Sequence, residues 1–183
     1  MPGPSAREGR RTCEELAADL GETVNIAILD GDRVVNISQV RGAGAITSYN
    51  WVGQGTPLHA TSSGKVLLAH LEGARQAELV GRELDRFTPH THADPAVLEE
   101  ELRSVLELGY AVTYGELELG LNAVAVPVHD EDGRVIAALS ASGPAYRLSP
   151  ERIAEVLSQL VATAADLSRR MGHWGSRGLS PIA

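Results

Sequence analysis

Two pairs of strand-forming runs, each meeting at a tight turn, constrain this chain more than any other feature. VNIAILD and RVVNISQV flank Gly31-Asp32, and AVAVPVH and RVIAALSAS flank Asp130-Glu131-Asp132-Gly133. A β-branched run that breaks at such a turn and resumes at once folds back on itself, so both pairs read as antiparallel hairpins. YAVTY supplies another strand, and a short one is expected from Ile46 to Tyr49, after Gly42-Ala43-Gly44.

Helix signals lie between and around these strands. Ser5 to Leu20 places Leu16 and Leu20 four residues apart among charged residues and stops at Gly21, which suits a left-handed cap. Thr61-Ser62-Ser63 opens a helix over KVLLAHL, and a short piece is expected from Ala74 to Arg82. Asp94-Pro95 pairs an N-cap acceptor with a proline at the first helical position, and Val97, Leu98, Leu102, Val105 and Leu106 keep one face apolar as far as Gly109. Ser149-Pro150-Glu151 begins the last helix in the same manner. Its stripe of Ile153, Val156, Leu157, Leu160, Val161, Ala164 and Leu167 runs to Gly172. With no internal repeat and no interior linker, the order predicts an α+β fold, one antiparallel sheet flanked by helices.

A length of 183 residues, 43% of them hydrophobic, fits one domain with its own core. No apolar run nears the roughly 18 residues of a membrane span, and MPGPSAREGRR lacks the apolar stretch of a secretory signal, so a cytoplasmic protein is expected. The net charge is −8. Nucleic acid is gripped by clustered Lys and Arg, so this chain alone is not expected to bind DNA. A single cysteine, Cys13, excludes an intrachain disulfide and a multi-thiolate zinc site. Of six histidines only His90 and His92 are close in sequence, with Asp94 as their acidic neighbour; neither a metal nor a cofactor is expected.

PLHATSSGKVLLAHL is the stretch richest in chemistry. Gly64-Lys65 ends like a phosphate-binding loop, yet His59 stands where that loop needs its first glycine and Val66 where it needs Ser or Thr. Ser62 and Lys65 have the Ser-x-x-Lys spacing of a nucleophile and its base, which leaves a serine acyl-transfer or hydrolase enzyme open, although no second lysine exists to complete that class's Lys-Thr-Gly element. The hydroxyls also suit a helix cap, and the unpaired amides of a helix start form a ready site for a carboxylate. Lys65 belongs to the helix start that is expected to face such a ligand. Ser140 and Ser142, two apart on a strand, point to the same side, where they either bond nearby backbone or line a ligand site.

The segments GETVNIAILDGDRVVNISQV, VGQGTPLHATSSGKVLLAHL, THADPAVLEEELRSVLELGYAV and GRVIAALSASGPAYRLSPERI resemble, in this order, the effector-binding domain of IclR-type bacterial transcriptional regulators. The motifs that carry the resemblance are LHAT-x-x-GK-x-LLA, ELE-x-GL and S-x-SGP-x-x-R, within residues 12 to 172. It implies a GAF-like domain with a pocket for a small-molecule effector, commonly a small carboxylate or an aromatic acid. It further implies a non-catalytic role, assembly into homodimers or homotetramers, and DNA contact only through a helix-turn-helix domain that would precede this chain. Residues 1–11 are then a linker or the remnant of a cut, and residues 173–183 a loose tail.

The resemblance places Ser62 and Ser63 where the ligand's carboxylate or carbonyl is received, and Ser140 and Ser142 among the pocket walls. Where many members have an acidic residue this chain has Thr113, and where a cysteine often sits it has Ala123. Those changes predict a less charged, roomier pocket, suited to a larger or partly aromatic acid more than to glyoxylate. A pure oligomerisation module, with a filled core in place of a cavity, is the remaining reading.

Overall fold

The computed structural model describes residues 4–44 and 50–175. Both expected hairpins form. Strands β1 (Thr23–Asp30) and β2 (Arg33–Val40) turn through Gly31 at φ +61, while β5 (Leu121–His129) and β6 (Val135–Pro144) turn through Gly133 at φ +76, values that glycine adopts without steric cost. β1 also pairs antiparallel with β6, which fuses the two hairpins. With β3 (Gly55–Pro57) and β4 (Ala111–Tyr114) on the edges, the sheet order is β3-β2-β1-β6-β5-β4, and each neighbouring pair is antiparallel.

Alternation along the strands gives the sheet two different faces. Val24, Ile26, Val124, Val126, Val128 and Leu139 point to one, where helices α1 (Pro4–Leu20) and α5 (Pro150–Gly175) cover them with Leu16, Leu20, Ile153, Val156, Leu160 and Leu167. Each fully buried Leu, Ile or Val contributes on the order of 1.5–3 kcal/mol, so this face is the main apolar core. The other face carries alanines, Ala27, Ala111, Ala125 and Ala138, beneath α2 (Ser62–Ala69), with α4 (Pro95–Leu108) packed outside it through Leu98, Leu102 and Val105. Such small side chains let α2 lie close to the sheet. Helix α3 (Gly73–Val80) completes the order.

Several local expectations change. β3 gave no strand signal, because Gly55-Thr56-Pro57 is a short edge piece with little β propensity. The strand expected over Ile46 to Tyr49 lies outside the described residues. Val97, Leu106 and Val161, assigned to apolar stripes, are about half exposed, because the contact faces of α4 and α5 are narrower than their stripes. Gly172 does not end the last helix, which continues to Gly175; most of the expected tail lies outside the described residues. α1 runs unbroken across the boundary expected between residues 11 and 12. Among the described residues no helix is long and apolar enough to cross a membrane.

Cys13 is fully buried in the core beside α5, and burial, with a smaller contribution from Glu14, pushes its thiol up to about 12. Only the thiolate reacts with disulfide reagents. The folded protein at pH 8 is therefore expected to leave Cys13 unlabelled by a chromogenic disulfide, with one thiol appearing on unfolding in urea; labelling in native buffer would contradict this packing.

Candidate ligand-binding site

The start of α2 is built to leave two backbone donors free. Thr61, extended at φ −123 and ψ 145, is the N-cap: its Oγ1 accepts from the Gly64 amide at 3.1 Å and donates to the Pro57 carbonyl at 2.8 Å, while its own carbonyl accepts from the Lys65 amide at 3.0 Å. The amides of Ser62 and Ser63, first and second in the helix, are the donors this arrangement leaves over. Gly64 is required by contact: a Cβ there would lie 2.3 Å from the Leu58 carbonyl oxygen.

Opposite those amides stands the polar end of the alanine face. Ser142 of β6 is in register with Ala123 of β5, and Ala123 with Thr113 of β4, so the three form one cross-strand row; Ser140 pairs with Asn25 of β1 in the next. Ser62, Ser63, Thr113, Ala123, Ser140 and Ser142 together line one cavity of about 70 Å³. A single water needs only about 10–15 Å³ of such volume, so there is room for a small organic molecule. Asn25, Asn36, Trp51, Thr56 and Leu117 add to the walls, and none of the described lining side chains is charged.

That lining fixes the electrostatics. Among the described residues an anion entering it has no side-chain cation to meet, and its favourable contact is with the positive end of the α2 dipole and the two leftover amides. Ser142 Oγ accepts from Asn25 Nδ2 at 3.5 Å, so the partner of this serine is a side chain of the cavity and not neighbouring backbone. Asn25 Oδ1 is the one fully buried side-chain polar atom without a hydrogen-bond partner among the described residues.

Lys65, although it belongs to that helix start, does not line the cavity. Its fully buried ammonium donates to Glu101 Oε1 and to Glu116 Oε1, each at 2.6 Å, because its stem carries the charge away from the helix start toward these carboxylates. Burial pushes the Glu116 carboxyl above its usual range, and the ammonium only partly offsets this. A lysine held by two carboxylates and lining no common space with Ser62 cannot act as its base, so the structure does not assemble the serine-enzyme alternative.

His92 Nδ1 lies 2.9 Å from Glu101 Oε2 and 3.8 Å from Glu116 Oε1, which brings three metal-capable side chains together; His90 is not one of them. The Lys65 ammonium already neutralises much of the carboxylate charge that would draw a cation. These groups border an open groove of about 620 Å³, larger than the cavity but without its convergence of uncharged hydrogen-bonding groups on a helix start. Arg147 clamps buried Glu22, Nε to Oε1 at 2.6 Å and Nη2 to Oε2 at 2.9 Å, and the hydrogen-bonded carboxylate pushes the Arg147 guanidinium still further toward its charged form. Gly143 makes room for that carboxylate, since a Cβ there would lie 2.2 Å from Glu22 Oε2, so the chain just past Ser142 is fixed by the pair.

Asn25 and Asn36 were not singled out in the sequence. Their signal was present: each is an asparagine at an inward position of an otherwise β-branched run, VNIAILD or RVVNISQV. A buried amide in such a place needs a partner.

The family model for the C-terminal domain of the bacterial transcriptional regulator IclR matches residues 6–169. The HTH-type transcriptional regulator XynR of Escherichia coli is 39% identical over 160 residues, 87% of this chain and 64% of that protein, and the HTH-type transcriptional repressor AllR of the same species is 37% identical over 83% of this chain and 56% of its own length. This chain thus spans less than two thirds of these curated relatives. In the crystal structures, IclR of Thermotoga maritima superimposes with a TM-score of 0.86 at 32% identity, covering 93% of this chain and 69% of the other. The inducer-binding domain of PobR from Acinetobacter, a double mutant in complex with 3-hydroxybenzoic acid, does so with a TM-score of 0.83 at 33% identity, covering 88% and 96%.

Proposed function

Because this chain belongs to the family of C-terminal domains of IclR-type bacterial transcriptional regulators, we propose that its cavity binds a small-molecule acid whose carboxylate meets the Ser62 and Ser63 amides. Thr113, Ser140 and Ser142 hydrogen-bond the rest of the ligand, and Ala123 sets the depth. The observation that carries this reading is the convergence of all six residues on one uncharged cavity closed by two leftover helix amides. The aromatic hydroxy acid in the PobR domain supports the same ligand class. Aliphatic and single-ring acids are the candidates.

No bond is made or broken. The acid acts by differential affinity for two arrangements of a homodimer or homotetramer, and the population shift repositions helix-turn-helix domains in the longer cytoplasmic regulator. Thermal unfolding with a panel of small carboxylates, each beside its primary amide, tests the reading. An acid at 100 times its Kd stabilises by about 2.7 kcal/mol, which is a rise of several degrees, and its amide by much less. Equal shifts for acid and amide, or no shift with any acid, would overturn it.

A further inference from the structure

We infer that Asn25 selects acids carrying an uncharged hydrogen-bond donor, a hydroxyl in the simplest case, at the end away from the carboxylate; this rests on the cavity being the carboxylate site. Asn25 is 7% exposed, sits on β1 opposite Ser140 and lines the cavity with the leftover amides of α2. Its Nδ2 makes one long contact, 3.5 Å to Ser142 Oγ, and its Oδ1 has no partner.

The chemistry of the ligand follows from what this amide lacks. An ionised carboxylate only accepts hydrogen bonds, so it cannot serve Oδ1 and belongs at the helix start. An ammonium could donate to Oδ1, but it would bring a full charge into a cavity whose described lining holds no carboxylate to pair it. A hydroxyl donates to Oδ1 without charge, and it also accepts from Nδ2 if the amide turns over. A hydroxy acid therefore matches both ends of the cavity, whereas its deoxy counterpart leaves Asn25 Oδ1 buried without a partner.

Matched pairs test this: 3-hydroxybutyrate against butyrate, and 3-hydroxybenzoate against benzoate, titrated calorimetrically into the protein and into Asn25→Leu. The hydroxy member of at least one pair is expected to bind about tenfold or more tightly to the unaltered protein. In Asn25→Leu, which keeps similar volume without polar atoms, that ratio falls to about one. The Tm of ligand-free Asn25→Leu is expected to equal or exceed that of the parent, since an unpaired buried acceptor is removed. A ratio of one in the unaltered protein, or a ratio that survives in Asn25→Leu, overturns the assignment of Asn25 while leaving acid binding intact. If no acid binds at all, the carboxylate reading falls and this one with it.

Discussion

Replacing Lys65 with methionine is expected to lower the free energy of unfolding by about 3 kcal/mol or more, because breaking a buried ion pair leaves charge without its partner. For a domain of this size that corresponds to a loss of about 6–12 °C in Tm. The network is lopsided: Lys65 is fully buried and the Glu116 side chain is 5% exposed, whereas Glu101, at 21%, and His92, at 44%, open toward the groove. Removing the ammonium strands Glu116 most of all, since burial already works against its ionised form. Glu116→Gln should cost less, because it removes one buried charge and leaves Lys65 paired with Glu101. Adding Glu101→Gln and Glu116→Gln to Lys65→Met should restore much of the loss, as a buried network replaced whole is far cheaper than one cut in half. Urea unfolding of the three proteins measures this. If Lys65→Met proves as stable as the parent yet loses acid binding, Lys65 acts on the ligand and its placement here is wrong.

Ala123→Leu is expected to weaken acid binding by about 100-fold or more, about 2.7 kcal/mol, by occupying the space the ligand needs. Ala123 projects into the cavity between Ser142 and Thr113, and not into the apolar core on the opposite face of the sheet. The added carbons therefore fill an existing void, and the ligand-free Tm should stay level or rise. Calorimetric titration beside a melting curve separates the outcomes. Lost binding at unchanged Tm supports the site, whereas undiminished binding places the ligand elsewhere, the groove beside His92 being the first alternative.

The hairpins, the proline-initiated helices and the pocket serines were legible because each rests on local chemistry: a turn glycine, an N-cap acceptor, or a two-residue alternation that puts Ser140 and Ser142 on one face. The family motifs were legible as a resemblance, but their physical roles were not. Gly64 answers a contact with Leu58, Lys65 reaches Glu116 of ELE-x-GL across 51 positions, and Arg147 reaches Glu22 across 125. Pairings over such separations depend on tertiary closure, which no spacing rule encodes. For the same reason the backbone position of Lys65 at the helix start was legible and the direction of its four-carbon stem was not, since distant carboxylates decide it. Asn25 leaves only a faint mark in the sequence, since one inward asparagine in a strand signals a buried amide without showing what it faces.

The central claim is that the amides beginning α2 receive a carboxylate in the cavity under it. A crystal structure of the protein with the most stabilising acid of the panel tests this most directly. The carboxylate is predicted to lie with its oxygens about 2.7–3.2 Å from the Ser62 and Ser63 backbone nitrogens, with the remainder of the molecule between Ser142, Thr113 and Asn25. Density for the acid in the groove lined by His92 and Glu101, or with its carboxylate turned away from α2, would contradict it.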